Sequence, residues 1–78
     1  MKPLMTEKAV MMIERDNVIT FVVPMIRSKK EIKEEVENLF DVKIEKIRTL
    51  IRNNKKYAYL KLKGDTLAID VATKLGLM

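Results

Sequence analysis

The residues Val42-Lys43-Ile44-Glu45-Lys46-Ile47-Arg48-Thr49-Leu50-Ile51 run through Arg52-Asn53-Asn54 into Lys55-Lys56-Tyr57-Ala58-Tyr59-Leu60-Lys61-Leu62. Two alternating apolar and polar runs flank a short polar link, which is the pattern of a β-hairpin. Asn53-Asn54 suits the link because asparagine tolerates the left-handed backbone that tight turns need. The apolar parity slips within the first run. Val42 and Ile44 share one phase, and Ile47, Thr49 and Ile51 share the other. A β-bulge at Glu45-Lys46 would restore the register and bend the strand.

The charge of this stretch is one-sided. Its basic residues, with those at its margins, are Lys43, Lys46, Arg48, Arg52, Lys55, Lys56, Lys61 and Lys63, against the single acid Glu45. Alternation sends the long cations to an open face and the edges, while isoleucine, valine and leucine anchor the other face. Two readings follow. A rigid comb of cations grips a phosphate backbone. Alternatively, lysines merely keep an edge hairpin from pairing with other chains.

Upstream, Val18-Ile19-Thr20-Phe21-Val22-Val23 is β-branched and aromatic, hence a strand. It is apolar on both parities apart from Thr20, which predicts a central strand covered on both sides. Pro24 stops it, and Met25-Ile26-Arg27 is a linker. Ser28-Lys29-Lys30-Glu31 is a capping box opening a helix to about Phe40, with Ile32, Val36, Leu39 and Phe40 on one face. Lys29, Lys30 and Lys33 crowd its first turns, where the helix dipole disfavours cations. Further upstream, Thr6 reads as the N-cap of a helix from Glu7 to about Arg15. Ala9, Met12 and Ile13 form its apolar stripe, and Asp16-Asn17 ends it. Pro3 limits the first residues to a short edge strand. Downstream, Lys63-Gly64-Asp65-Thr66 is a turn with Asp65 as N-cap. The last helix runs from Thr66 to about Leu75, with Leu67 or Ala68, Val71, Ala72 and Leu75 inward and Gly76 at C′.

The expected architecture is therefore a small α+β domain spanning residues 1–78. It has an antiparallel sheet of three to four strands packed with three helices, in the order (β)-α-β-α-β-β-α. Seventy-eight residues bury one modest core. The net charge of +5 favours acidic partners, nucleic acid first. The chain has neither cysteine nor histidine, so thiolate metal sites, disulfides and the commonest general base are excluded. No catalytic spacing of carboxylates or lysines is visible, and no cofactor is expected. No apolar run reaches membrane-spanning length, and no signal-peptide stretch opens the chain. A cytoplasmic, non-enzymatic domain is expected.

Three blocks together resemble one family. Pro3-Leu4-Met5-Thr6-Glu7-Lys8-Ala9 is similar to its Pro-x-x-Thr/Ser-Glu-Lys opening. Ser28 to Lys33, followed by Leu39-Phe40-Asp41-Val42-Lys43-Ile44, is similar to its Lys-x-x-Ile-Lys…Leu-Phe-x-Val-Lys-Val centre. Thr49-Leu50, Lys55-Lys56 and Ala58-Tyr59-Leu60-Lys61-Leu62 resemble its late signature. The family is the universal large-subunit ribosomal proteins of the L-twenty-three type, and Leu75-Gly76-Leu77 resembles archaeal members. Arg48 stands where the family carries asparagine, Tyr57 replaces a basic residue, and the hairpin lacks the long extension of bacterial members.

The resemblance implies an antiparallel sheet packed with helices, bound to large-subunit rRNA beside the polypeptide exit tunnel among neighbouring ribosomal proteins. It also implies a share in the docking surface for nascent-chain factors, including signal recognition particle. Carried over by position, Thr6 and Lys8 touch rRNA. Lys29, Lys30, Lys33 and Lys43 contact its backbone, as do Arg48, Thr49, Arg52, Lys55 and Lys56 on the hairpin. Glu7 falls on the acid associated with factor docking. The runner-up is a free single-strand RNA-binding module outside the ribosome. That fold needs a glycine- and aromatic-rich strand motif, whereas Gly64 and Gly76 both lie outside the strands read here. A small enzyme of ferredoxin-like shape is disfavoured by the missing histidine, cysteine and phosphate loop.

Overall fold

The computed structural model describes residues 2–64 and 66–74. The strands are β1 (Lys2–Pro3), β2 (Val18–Val23), β3 (Ile44–Arg52) and β4 (Lys55–Leu62). The helices are α1 (Glu7–Asp16), α2 (Lys29–Phe40) and α3 (Ala68–Lys74). All four strands join one antiparallel sheet in the order β1-β2-β4-β3. The short edge strand forms, with Pro3 on the edge as its missing N–H requires.

The hairpin reads as its sequence does. Asn53 and Asn54 both take positive φ, 52° and 61°. That is the backbone of the two-residue turn whose twist matches paired strands. Ile44 pairs with Leu62 and Lys46 with Lys61, so Glu45 is the extra residue of a bulge. From that point alternation is regular. Ile47, Thr49 and Ile51 lie opposite Leu60, Ala58 and Lys56. Lys46, Arg48, Leu50 and Arg52 lie opposite Lys61, Tyr59, Tyr57 and Lys55.

The first of these faces is covered. Ile19, Phe21 and Val23 of β2 join Ile44, Ala58, Leu60 and Leu62 in one buried cluster with Ile32 and Val36 of α2 and Ala68, Val71 and Ala72 of α3. Val18 and Thr20 point to the opposite side of β2 yet are also buried. α1 lies against β2, so this central strand is enclosed from both sides. The Thr20 hydroxyl is buried there without a hydrogen-bond partner among the described residues.

Local caps hold the helices. Thr6 Oγ1 accepts from Ala9 N at 3.1 Å. Both halves of the Ser28–Glu31 box are made, at 3.1 and 3.2 Å. The Ser28 backbone N–H first, and then the Ser28 hydroxyl, hold the Glu31 carboxyl below its ordinary range. Asn17 closes α1 in the left-handed region, φ 58°. Its side chain donates to Leu62 O and Thr66 O and accepts from Ala68 N at 2.6 Å. One asparagine thus ends α1 and supplies an acceptor for the start of α3.

Four expectations need correction or placing. α3 begins at Ala68 rather than Thr66, and Ala68, not Leu67, faces inward. The Thr66 carbonyl and Ala68 amide are held by Asn17, which fixes the helix start two residues later. Leu39 is 65% exposed despite its place on the apolar stripe. Asp41 turns the chain in the left-handed region, φ 52°, and Val42 is buried beyond it instead. Phe40 is half-buried, its ring stacked on Phe21 at 6.4 Å between centroids. The proposed roles of Asp65, Leu75 and Gly76, and the Leu75-Gly76-Leu77 resemblance, lie outside the described residues.

Candidate nucleic-acid interface

The open face of the hairpin carries Lys46, Arg48, Arg52, Lys55 and Lys61, all exposed. Tyr57 and Tyr59 stand half-buried among them. Cross-strand pairing puts cation opposite cation at Lys46/Lys61 and Arg52/Lys55. Like charges directly opposite each other destabilise a sheet. No acid lies within ion-pair distance of these five side chains among the described residues. An array of this kind is costly without a counter-charge and well suited to one that is polyanionic.

α1 supplies a second wall. Lys8, Met12 and Asp16, spaced by one helical turn, face Val18, Tyr59 and the hairpin cations across an open hollow of about 560 Å³. Lys8 therefore lies across the hollow from Lys46, Arg48 and Lys61. Thr6 and Glu7 sit at the start of α1, both exposed, with the Thr6 hydroxyl engaged in the cap.

The remaining site residues are elsewhere. Lys29, Lys30 and Lys33 are exposed on α2, the helix packed on the covered face, and Lys43 is exposed just before β3. Thr49 sits opposite Ala58 on the covered side, half-buried. Lys56 departs from the expectation that alternation sends the hairpin cations to the open face and edges. It pairs with Val23 and Ile51 on the covered side, and its ammonium donates to the Arg27 carbonyl. The strand parity fixes this, because Lys55 and Lys56 are neighbours and so must point to opposite faces.

Lys46 and Lys61, part of the cationic comb though not among the residues carried over by position, both face outward beside Arg48. The signal was present. Once a bulge is placed at Glu45, counting by twos from Arg48 reaches Lys46, and Tyr59 leads to Lys61.

The acids of α2 are not equivalent either. Glu37 accepts from Ile44 N at 3.0 Å, tying the helix to the start of β3. Glu35 pairs with Arg27 at 3.2 Å. Glu34 is exposed and makes no such contact among the described residues. Among the described residues there is no cluster of side chains suited to a metal ion, and no helix is long and apolar enough to cross a membrane.

A family model described as Ribosomal protein L23 matches residues 1–72. The large ribosomal subunit protein uL23 of Pyrobaculum aerophilum is 45% identical over 76 residues, covering 96% of this chain and 94% of its own length.

Proposed function

The chain belongs to the ribosomal protein L23 family, a family of structural constituents of the large subunit of the cytoplasmic ribosome rather than of enzymes; from that premise we propose that it binds large-subunit rRNA near the polypeptide exit tunnel, with the open hairpin face as its main grip. The observation that carries this reading is the array of Lys46, Arg48, Arg52, Lys55 and Lys61 on one face with no paired acid among the described residues. Lys8 extends the array from α1. Lys29, Lys30, Lys33 and Lys43 contact the phosphates of a separate RNA segment, since α2 lies on the other side of the sheet. Thr6 and Thr49 take lesser, polar contacts. Lys56 contributes little, because its ammonium already serves the Arg27 carbonyl.

The absence of cysteine makes the test direct. Single cysteines at Arg52 and at Glu34 carry a tethered hydroxyl-radical probe into reconstituted large subunits. Cleavage of rRNA should be strong from position 52, and cleavage from position 34 should be weaker and fall on a different rRNA segment. Stronger cleavage from 34 would move the grip to α2.

The same reading gives Glu7 a role in docking exit-site factors such as signal recognition particle. It is exposed in the first turn of α1. Glu7→Ala should leave subunit incorporation intact and weaken the particle's binding to ribosomes. Unchanged affinity would leave Glu7 only its favourable position at the helix dipole.

A further inference from the structure

The hollow between α1 and the hairpin has features that a phosphate grip alone does not require. Its volume of about 560 Å³ falls within the roughly 300–1,000 Å³ of sites that enclose a small ligand. Its lining is chemically divided. Met12, Val18 and Leu50 are apolar, and Tyr59 offers a half-buried ring. Lys46, Arg48 and Lys61 stand on the hairpin wall. Asp16 stands on the helix wall, with no ion-pair partner among the described residues. A surface evolved only to hold phosphates gains nothing from a carboxylate or an apolar floor.

We infer that the hollow takes one unpaired nucleotide of the RNA, its base against Tyr59, its phosphate toward Lys46, Arg48 and Lys61, and its base edge toward Asp16, with guanosine preferred. This rests on the RNA-binding reading above and adds to it a single-nucleotide subsite. Unpaired bases in RNA are recognised by stacking on aromatic rings and by hydrogen bonds to their edges. Charge fixes the orientation. Asp16 repels phosphate, and it lies at the last residue of α1, the negative end of the helix dipole. The phosphate therefore goes to the three hairpin cations, away from Asp16. The base lies on Tyr59 with its edge turned to Asp16, about two helical turns from Lys8 on the same helix wall. An ionised carboxylate can only accept hydrogen bonds. Guanine presents two adjacent N–H donors on its pairing edge, whereas adenine and cytosine set an acceptor beside their amino group and uracil has one donor between two carbonyls. Guanine thus matches Asp16 best.

The probes are short RNA hairpins, fully paired or with one bulged guanosine or cytidine, bound to the intact chain across a salt series. The bulged-guanosine hairpin should bind about tenfold more tightly than the paired one, the order of effect of one base–aromatic stack. Tyr59→Phe should keep that ratio and Tyr59→Leu should bring it close to one. Asp16→Asn should narrow the preference for bulged guanosine over bulged cytidine. Folding of each variant is checked by its melting curve, and Asp16, which is exposed, gives a second readout if Tyr59→Leu does not fold. A wild-type ratio near one, or a ratio untouched by both Tyr59→Leu and Asp16→Asn, overturns the subsite. In that case salt-dependent binding to both hairpins would leave the RNA-binding reading standing. Salt-independent or absent binding to every hairpin would overturn both.

Discussion

The two faces of the hairpin use the same alternation for opposite ends. On one, Ile44, Ala58, Leu60 and Leu62 disappear under α2 and α3. On the other, Lys46, Arg48, Arg52, Lys55 and Lys61 stay exposed around two tyrosines. The covered face lowers the free energy of folding by removing apolar area from water. The open face raises it, through repulsion between like charges. In a domain this small, the covered face must hold the open one in place. Stability and binding are therefore carried by side chains one residue apart along the same strands, and they should separate under mutation.

The largest effect belongs to the covered face. Leu60 is 0% exposed at the centre of the sheet. Leu60→Ala should cost about 2–5 kcal/mol through lost transfer energy and a cavity, read by chemical denaturation. Phe40→Ala should cost less, since Phe40 is only half-buried against Phe21. Equal losses would mean that Phe40 is packed as tightly as Leu60.

Asn17 joins the two helices that flank β2. Asn17→Ala removes three side-chain hydrogen bonds and a residue suited to the left-handed backbone. A loss of about 2–3 kcal/mol is expected, at roughly 1 kcal/mol per bond. Asn17→Gly keeps the backbone but not the bonds, and should recover only a small part. Full recovery by glycine would assign the effect to the backbone instead.

Thr20 tests the α1 side of β2. Its hydroxyl is buried without a partner among the described residues. Thr20→Val should be stabilising by about 1 kcal/mol, because an unsatisfied buried hydroxyl is replaced by a methyl group of similar size. A destabilised variant would reveal a hidden partner for the hydroxyl.

The open face should respond in binding rather than in stability. Arg48→Gln should lower the slope of log affinity against log salt by about 1, with little change in melting. Lys56→Gln is the internal comparison on the other face, and its slope should stay near the wild type. Glu34→Gln is the acidic control, since Glu35 and Glu37 have structural partners. An equal drop for Lys56 and Arg48 would erase the distinction between the faces.

The smallest effect lies at the exposed start of α2. Hydrogen bonds from Ser28 lower the Glu31 pKa in the folded chain. The sign follows from that direction. This contribution is complete above the unfolded glutamate range and is lost as pH falls through the lower folded value. NMR titration should place the Glu31 carboxyl below an ordinary glutamate, and Ser28→Ala should move it part of the way back up, because residue 28 keeps its backbone N–H. Ser28→Ala should also cost about 1 kcal/mol, the usual value of an N-cap. An ordinary glutamate value in the wild-type chain would show that the box is not formed.

Local signals were sufficient for much of this molecule. Asn53-Asn54, the slip of parity at Glu45-Lys46, Thr6, and Ser28 with Glu31 each act over a few residues. Their physics is contained in neighbouring φ, ψ and side-chain reach, so they determined the hairpin, its bulge, the caps and the order of elements. Alternation likewise separated the residues of each strand into two faces. It did not determine what would cover each face. Leu39 follows the apolar stripe of α2 and remains exposed, because burial needs a neighbouring element as well as a favourable angle. Lys56 reads as one more cation until the Arg27 carbonyl is brought beside it by the chain between β2 and α2. Asn17 reads as a helix end, and only the folded chain lets it meet Ala68, 51 residues away. The hollow between α1 and the hairpin has the same origin, since its walls come from segments separated by β2 and α2. Tertiary packing decided these features because each joins groups whose distance along the sequence carries no information about their distance in space.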